Sequence, residues 1–151
     1  MKKFIVLLAV LPLLISLFAC GGSDMPMGGG LEFHELTLTV PDGFIRDSTQ
    51  SNVDFWVFEK GLYSQMILLS RKDISGDVET SLDAYAESMG EVGTSVRGTF
   101  LACESVCSAY EKDGVFCQEV LFAYEGSFYA LALRGGTQAD FEAFMGTVKT
   151  D

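Results

Sequence analysis

Apolar and polar positions along the chain fall into three regimes. Phe4 to Ile15 is an apolar run broken only by Pro12, and Gly21 to Gly30 has Gly at half its positions with no core-forming pattern. From residue 31 onward, stretches of period two alternate with stretches of period 3.6, as strands and helices require. Leu36-Thr37-Leu38-Thr39-Val40 alternates and predicts a strand, stopped by the turn Pro41-Asp42-Gly43. Asn52 to Lys60 predicts a second strand and Gln65 to Arg71 a third, with Gly61 in the turn between them. In the second strand Phe55 and Val57 point one way while Trp56 and Phe58 point the other. A strand apolar on both sides belongs inside a sheet covered on both faces.

Thr80 then opens a predicted helix, with Asp83 at the capping-box position. Leu82, Tyr85, Ala86 and Met89 make one apolar stripe along it, and Gly90 or Gly93 ends it. Ser108 to Lys112 and Val115 to Tyr124 flank Asp113-Gly114, a hairpin signal, and Glu125-Gly126 turns into Ser127 to Arg134. In this meander Phe116, Val120, Phe122, Tyr129, Leu131 and Leu133 share one face. The opposite face carries Leu121, Ala123, Phe128, Ala130 and Ala132, apolar but mostly small. A last helix starts at Thr137, with Asp140 at the box position and a stripe of Phe141, Phe144, Met145 and Val148. Two helices and a sheet with two apolar faces predict an α+β fold, a three-layer α/β/α sandwich on a mainly antiparallel sheet.

The N-terminal run reads as targeting rather than structure. Lys2 and Lys3 form a basic n-region, and Leu17-Phe18-Ala19-Cys20 reads as a lipobox closing a signal peptide over residues 1–19. Sixteen residues from Phe4 to Ala19 are short of the ~20 that a membrane span needs. Cys20 is therefore the expected lipidation site, bearing diacylglycerol and palmitate-type acyl chains; two or more chains give stable anchoring where one does not. Residues 20–30 then form a flexible tether of roughly 17 Å, and residues 31–151 one globular domain. Gly21 after the lipidated Cys, where Asp would retain the protein, points to the outer membrane, or to the outer face of the cell membrane in a bacterium with a single membrane.

With Lys2 and Lys3 removed, eight Lys and Arg face 21 Asp and Glu, a mature net charge of −13. Such a chain does not hold nucleic acid or anionic headgroups by bulk charge. At 48% hydrophobic residues it can bury a core.

With Cys20 lipidated, Cys103, Cys107 and Cys117 are the disulfide candidates in an oxidising compartment, and one is left over. Cys103–Cys107 is the preferred pair if the chain turns at Glu104-Ser105-Val106. If the chain runs straight, residues four apart lie roughly 13 Å apart and Cys107–Cys117 becomes the better pair. Zinc is excluded by spacing, since there is no CxxC and the single His34 is distant. His34, beside Glu32 and Glu35, reads as an exposed, solvated side chain rather than a catalytic one. Asp73, Ser75, Asp77 and Glu79 have calcium-type oxygens, but position 84 is Ala where an EF-hand loop needs Glu, so an ordinary loop is expected. No GxSxG, SxxK, HExxH or P-loop occurs.

The order of elements carries a resemblance. A strand, the Val-Pro-Asp-Gly-Phe turn at residues 40–44, two strands, the Ser-Leu-Asp-Ala-Tyr-Ala helix at 81–86, a meander and a C-terminal helix with Phe141 and Phe144 resemble the PsbP-like superfamily, including DcrB-like bacterial lipoproteins. The resemblance covers about residues 36–149 and implies a binding or assembly module rather than an enzyme, with no ligand or functional residue carried over. The expectation is a membrane-anchored, non-catalytic protein-binding module of the cell envelope, with Phe44, Trp56 and Tyr63 as candidate partner-binding residues and no cofactor beyond the lipid. The alternative is a small-molecule or metal-ion binding lipoprotein with a pocket between helix and sheet. Exposed flat aromatic or aliphatic surface separates the first from the concave pocket of the second.

Overall fold

The computed structural model describes residues 30–150. The expected signal peptide, the expected lipidation site Cys20 and all of the expected tether but Gly30 lie outside the described residues. The first strand, β1 (Gly30–Phe33), begins at that glycine and pairs antiparallel with β2 (Leu36–Thr39). The short strand β3 (Ile45–Arg46) leads to β4 (Phe55–Lys60) and β5 (Gln65–Asp73). Helix α1 (Val78–Gly90) follows, then β6 (Gly93–Phe100), β7 (Cys103–Lys112), β8 (Val115–Tyr124) and β9 (Ser127–Arg134). Helix α2 (Gln138–Met145) and the two-residue β10 (Lys149–Thr150) close the described chain.

Seven strands form one antiparallel sheet in the order β3-β4-β5-β9-β8-β7-β6. β9 lies near its centre and is buried at six of eight positions, because the alternation of Phe128, Ala130 and Ala132 against Tyr129, Leu131 and Leu133 feeds both faces. On one face Leu82, Tyr85 and Met89 of α1 pack on Val106, Leu121 and Phe128. On the other, Phe33, Leu36, Leu38 and Val40 together with Phe141, Phe144 and Val148 cover Phe58, Ile67, Leu69, Phe122, Tyr129 and Leu131. The α+β fold is as expected, with one refinement. The second outer layer is shared between α2 and a three-stranded sheet, β1-β2-β10, because an eight-residue helix is too short to cover that face alone.

Two other expectations change. The cap of α1 is Asp77, not Thr80: its carboxylate accepts from the Thr80 amide at 2.8 Å and the Thr80 hydroxyl at 2.7 Å. A carboxylate here also meets the positive end of the helix dipole. The C-terminal helix does have the expected box, Thr137 and Asp140 exchanging side-chain and backbone hydrogen bonds. Gly93, one predicted end of α1, instead opens β6, a strand the periodicity did not show.

The disulfide expectation is overturned. Cys103, Cys107 and Cys117 are free thiols. β7 runs straight from Cys103 to Lys112, so Cys103 and Cys107 stand about 13 Å apart on one face. Cys107 faces Val120 across the ladder while Cys117 faces Tyr110, and positions 107 and 110 lie on opposite sides of the sheet. Neither pair can therefore bond without tearing the ladder.

Candidate functional site

The three aromatic residues singled out from the sequence do not form one patch. Phe44 is buried in the core, and Trp56 is half-buried with the Arg46 guanidinium 3.9 Å above its ring and Phe33 at 4.9 Å. Only Tyr63 is exposed, at 48%, on the β4–β5 hairpin tip beside Leu62, which is 92% exposed. Both hold a left-handed backbone, φ 53° and 63°, uncommon for bulky residues. What holds the tip is polar: the Tyr63 hydroxyl donates to Asp47 at 2.7 Å and its amide to Glu59 at 3.1 Å. Burial works against the ionised Asp47, but hydrogen bonds from Thr49, Tyr63 and Gln50 outweigh it and hold its carboxyl at about 2.

Phe44 also lines a cleft of about 130 Å³ with Lys60, Leu133, Asp140 and Phe144. Ligand pockets enclose about 300–1,000 Å³. This cleft is below that range, and the Lys60 ammonium, 5.5 Å from the Phe44 ring, sits at it.

Two further polar clusters stand apart from it, one near the surface and one beneath α1. At one end of the sheet Tyr129 donates to Glu35, while Arg71 reaches Asp73 at 2.8 Å and Asp54 at 3.5 Å. His34 is exposed, and its Nε2 lies 2.9 Å from the Val53 carbonyl and 3.2 Å from Asp54. The ring nitrogen is thus spent on a backbone oxygen and a carboxylate, a clamp on the β1–β2 turn and not a base facing a nucleophile. Beneath α1, the Tyr85 hydroxyl donates to Glu119 at 2.7 Å, and Tyr110 hydrogen-bonds to the same carboxyl. Burial pushes the Glu119 carboxyl above its usual range, the two tyrosines partly opposing it. Among the described residues no group of three or more His, Cys, Asp or Glu is arranged to hold a metal ion. Asp77, in the segment expected to be an ordinary loop despite its calcium-type oxygens, caps α1.

The remaining feature is an open one. α1 covers β6, β7 and β8 on one face; on the other, the second outer layer buries Val120 and Phe122 but leaves part of these strands open. Val96, at 65% exposure, and Phe116, at 44%, lie on that face with the exposed Cys107 between their strands. Burial pushes the Cys103, Cys107 and Cys117 thiols up, opposite to the lowered pKa of a reactive thiolate. Among the described residues β6 is the outermost strand of its sheet, unpaired along one side for eight residues. Sequence reasoning missed this edge because its neighbour turn is Leu101-Ala102, both with positive φ (52° and 62°), where a hairpin normally uses Gly, Asn or Asp.

No family model and no curated protein matches the chain. Among solved structures, a crystal structure from Bacteroides thetaiotaomicron VPI-5482 matches with a TM-score of 0.53 and 8% identity, over 78% of this chain and 45% of that one. The chain thus spans less than half of that protein, and the likeness is one of fold. The solution structure of cyanobacterial PsbP (CyanoP) from Synechocystis sp. PCC 6803 gives 0.47 and 11%, over 89% of this chain and 99% of that. LpqN, involved in cell envelope biogenesis of Mycobacterium tuberculosis, gives 0.40 and 15%, over 82% and 84%. No helix among the described residues is long and apolar enough to cross a membrane.

Proposed function

We propose that this chain is a lipid-anchored, non-catalytic protein-binding module of the bacterial cell envelope, a reading shared with the DcrB-like lipoproteins its sequence resembles. The observation that carries it is the placement of surplus apolar side chains. Val96 and Phe116 are exposed on one sheet face, whereas the cleft at Phe44 is about 130 Å³ and shared with a lysine. Flat apolar surface suits a protein partner; a ligand site needs an enclosing pocket. The lipobox at Cys20 supports the anchor, and the acidic charge supports solubility in an exported domain.

Affinity capture of the full-length protein from detergent-solubilised membranes is the direct test. A stoichiometric protein is expected with the wild type and is lost with Phe116→Asp, whose exposed position leaves folding intact. A co-purifying small molecule with no protein partner would sink the reading. Anchoring is tested separately: Cys20→Ser is expected to leave the membrane fraction, and a membrane-bound Cys20→Ser variant would remove the lipid from the account.

A further inference from the structure

Strand β6 is an eight-residue edge with no proline, no carboxylate and one charged side chain, in a chain of strongly acidic composition. Long unpaired edges are usually blunted by Pro, bulges or inward charges, because their free N–H and C=O groups template another strand. Here the one charge is neutralised within the molecule: Arg97 holds Asp83 at 2.5 Å and Glu104 at 3.3 Å, both toward the α1 face. Phe100 and Cys103 close the two-residue turn as a hydrogen-bonded pair. Alternation along the ladder then turns the backbone groups of Thr99, Arg97, Ser95 and Gly93 outward.

We propose that two copies of this chain pair through β6, antiparallel, across a two-fold axis at Val96. An isologous contact must be complementary to itself after a two-fold rotation, and the strand Gly-Thr-Ser-Val-Arg-Gly-Thr is. With Val96 facing Val96 of the second copy, Ser95 meets Arg97, Thr94 meets Gly98, and Gly93 meets Thr99. Apart from the Val96 pair at the axis, each larger side chain of these seven residues faces a smaller one, no like charges meet directly, and about eight backbone hydrogen bonds form. The axis covers Val96, which is 65% exposed in the single chain. The contact joins the two seven-stranded sheets into one and goes beyond the partner-binding reading, which shares Val96 with it but is tested at Phe116, two strands in from the edge.

The geometry makes a distance available. Val96 and Cys107 are direct partners, so the two Cys107 thiols lie three strand spacings apart, about 14 Å, on the same open face. Full-length protein in detergent is expected to sediment as a dimer at micromolar concentration. A bis-maleimide with a spacer near 14 Å is expected to join the copies, and Cys107→Ser to abolish the crosslink. Ser95→Pro removes an outward N–H while leaving the β7 ladder intact, and Val96→Lys sets two ammonium groups at the axis; each is expected to give monomer with unchanged circular dichroism. Should Ser95→Pro fold poorly, Val96→Lys decides. A monomeric wild type overturns the proposal, as does a dimer that survives both substitutions. So does a monomer that captures its envelope partner only when Ser95 is intact, for then the edge serves another protein. Loss of partner capture with Phe116→Asp leaves this result untouched, so the two readings fail separately.

Discussion

Glu119 is the residue whose environment departs furthest from its sequence pattern. In the alternation of β8 it stands at an inward position, between Cys117 and Leu121, where a carboxylate is costly unless it is hydrogen-bonded. Tyr85 from α1 and Tyr110 from β7 supply those bonds. Because burial raises its folded pKa above the unfolded value, the folded state binds the extra proton. The stability this contributes is complete below the unfolded pKa near 4.3 and is lost as pH rises through the folded value. Glu119→Gln keeps an acceptor for the tyrosines without the charge. It is expected to melt a few degrees above wild type at pH 8 and to lose that margin at pH 4, as read by differential scanning calorimetry; a margin that grows on acidification would contradict the assignment. Asp47, in the segment after β3, is the mirror case, held ionised by Thr49 and Gln50 beside it and by Tyr63 from the β4–β5 tip. Both carboxylates looked like ordinary members of an acidic chain, and only their neighbours separate them.

At the level of elements, the legible ones are those with strong local signals. Asp113-Gly114 and Glu125-Gly126 both adopt positive φ at each central residue, as their Gly positions require, and so β8 and β9 fall where alternation puts them. β6 and the first half of β7 carry no such signal, since Leu101-Ala102 is forced into the same turn by the ladder on either side. That missed hairpin is also what misled the cysteine pairing. Reagent access provides the check. In the native protein a maleimide is expected to modify the exposed Cys107 first and the buried Cys117 only on unfolding. Thiol titration of the unfolded, unreduced chain is expected to find all three reactive; a missing pair would restore a disulfide and demand a different register for β7.

For the whole molecule, stability rests on two clusters separated by one sheet. Phe122 stands at the centre of the larger one, edge-on to Phe100 at 5.1 Å and stacked on Tyr129 at 5.7 Å. Phe122→Ala leaves a cavity that rigid strands on both sides cannot close, so a loss of about 3–5 kcal/mol is expected in urea unfolding. Against a typical total of about 5–15 kcal/mol this removes a large share. A loss below about 1 kcal/mol would mean that the second outer layer is not docked on this face.

Period-two alternation, the Gly-containing turns and the stripes of the two helices were enough to determine an antiparallel sheet apolar on both faces with a helix for each, because those signals are local and set by backbone geometry. The lipobox, likewise a local pattern, carries the expectation of an anchor at Cys20. Tertiary structure alone decided which strands are neighbours, such as β5 beside β9, and that β1, β2 and β10 complete the layer α2 leaves unfinished. It also decided that the thiols stay apart and that β6 ends the sheet with its edge open. Each of these depends on residues far apart in the chain meeting across the core, and no short-range pattern encodes such a meeting.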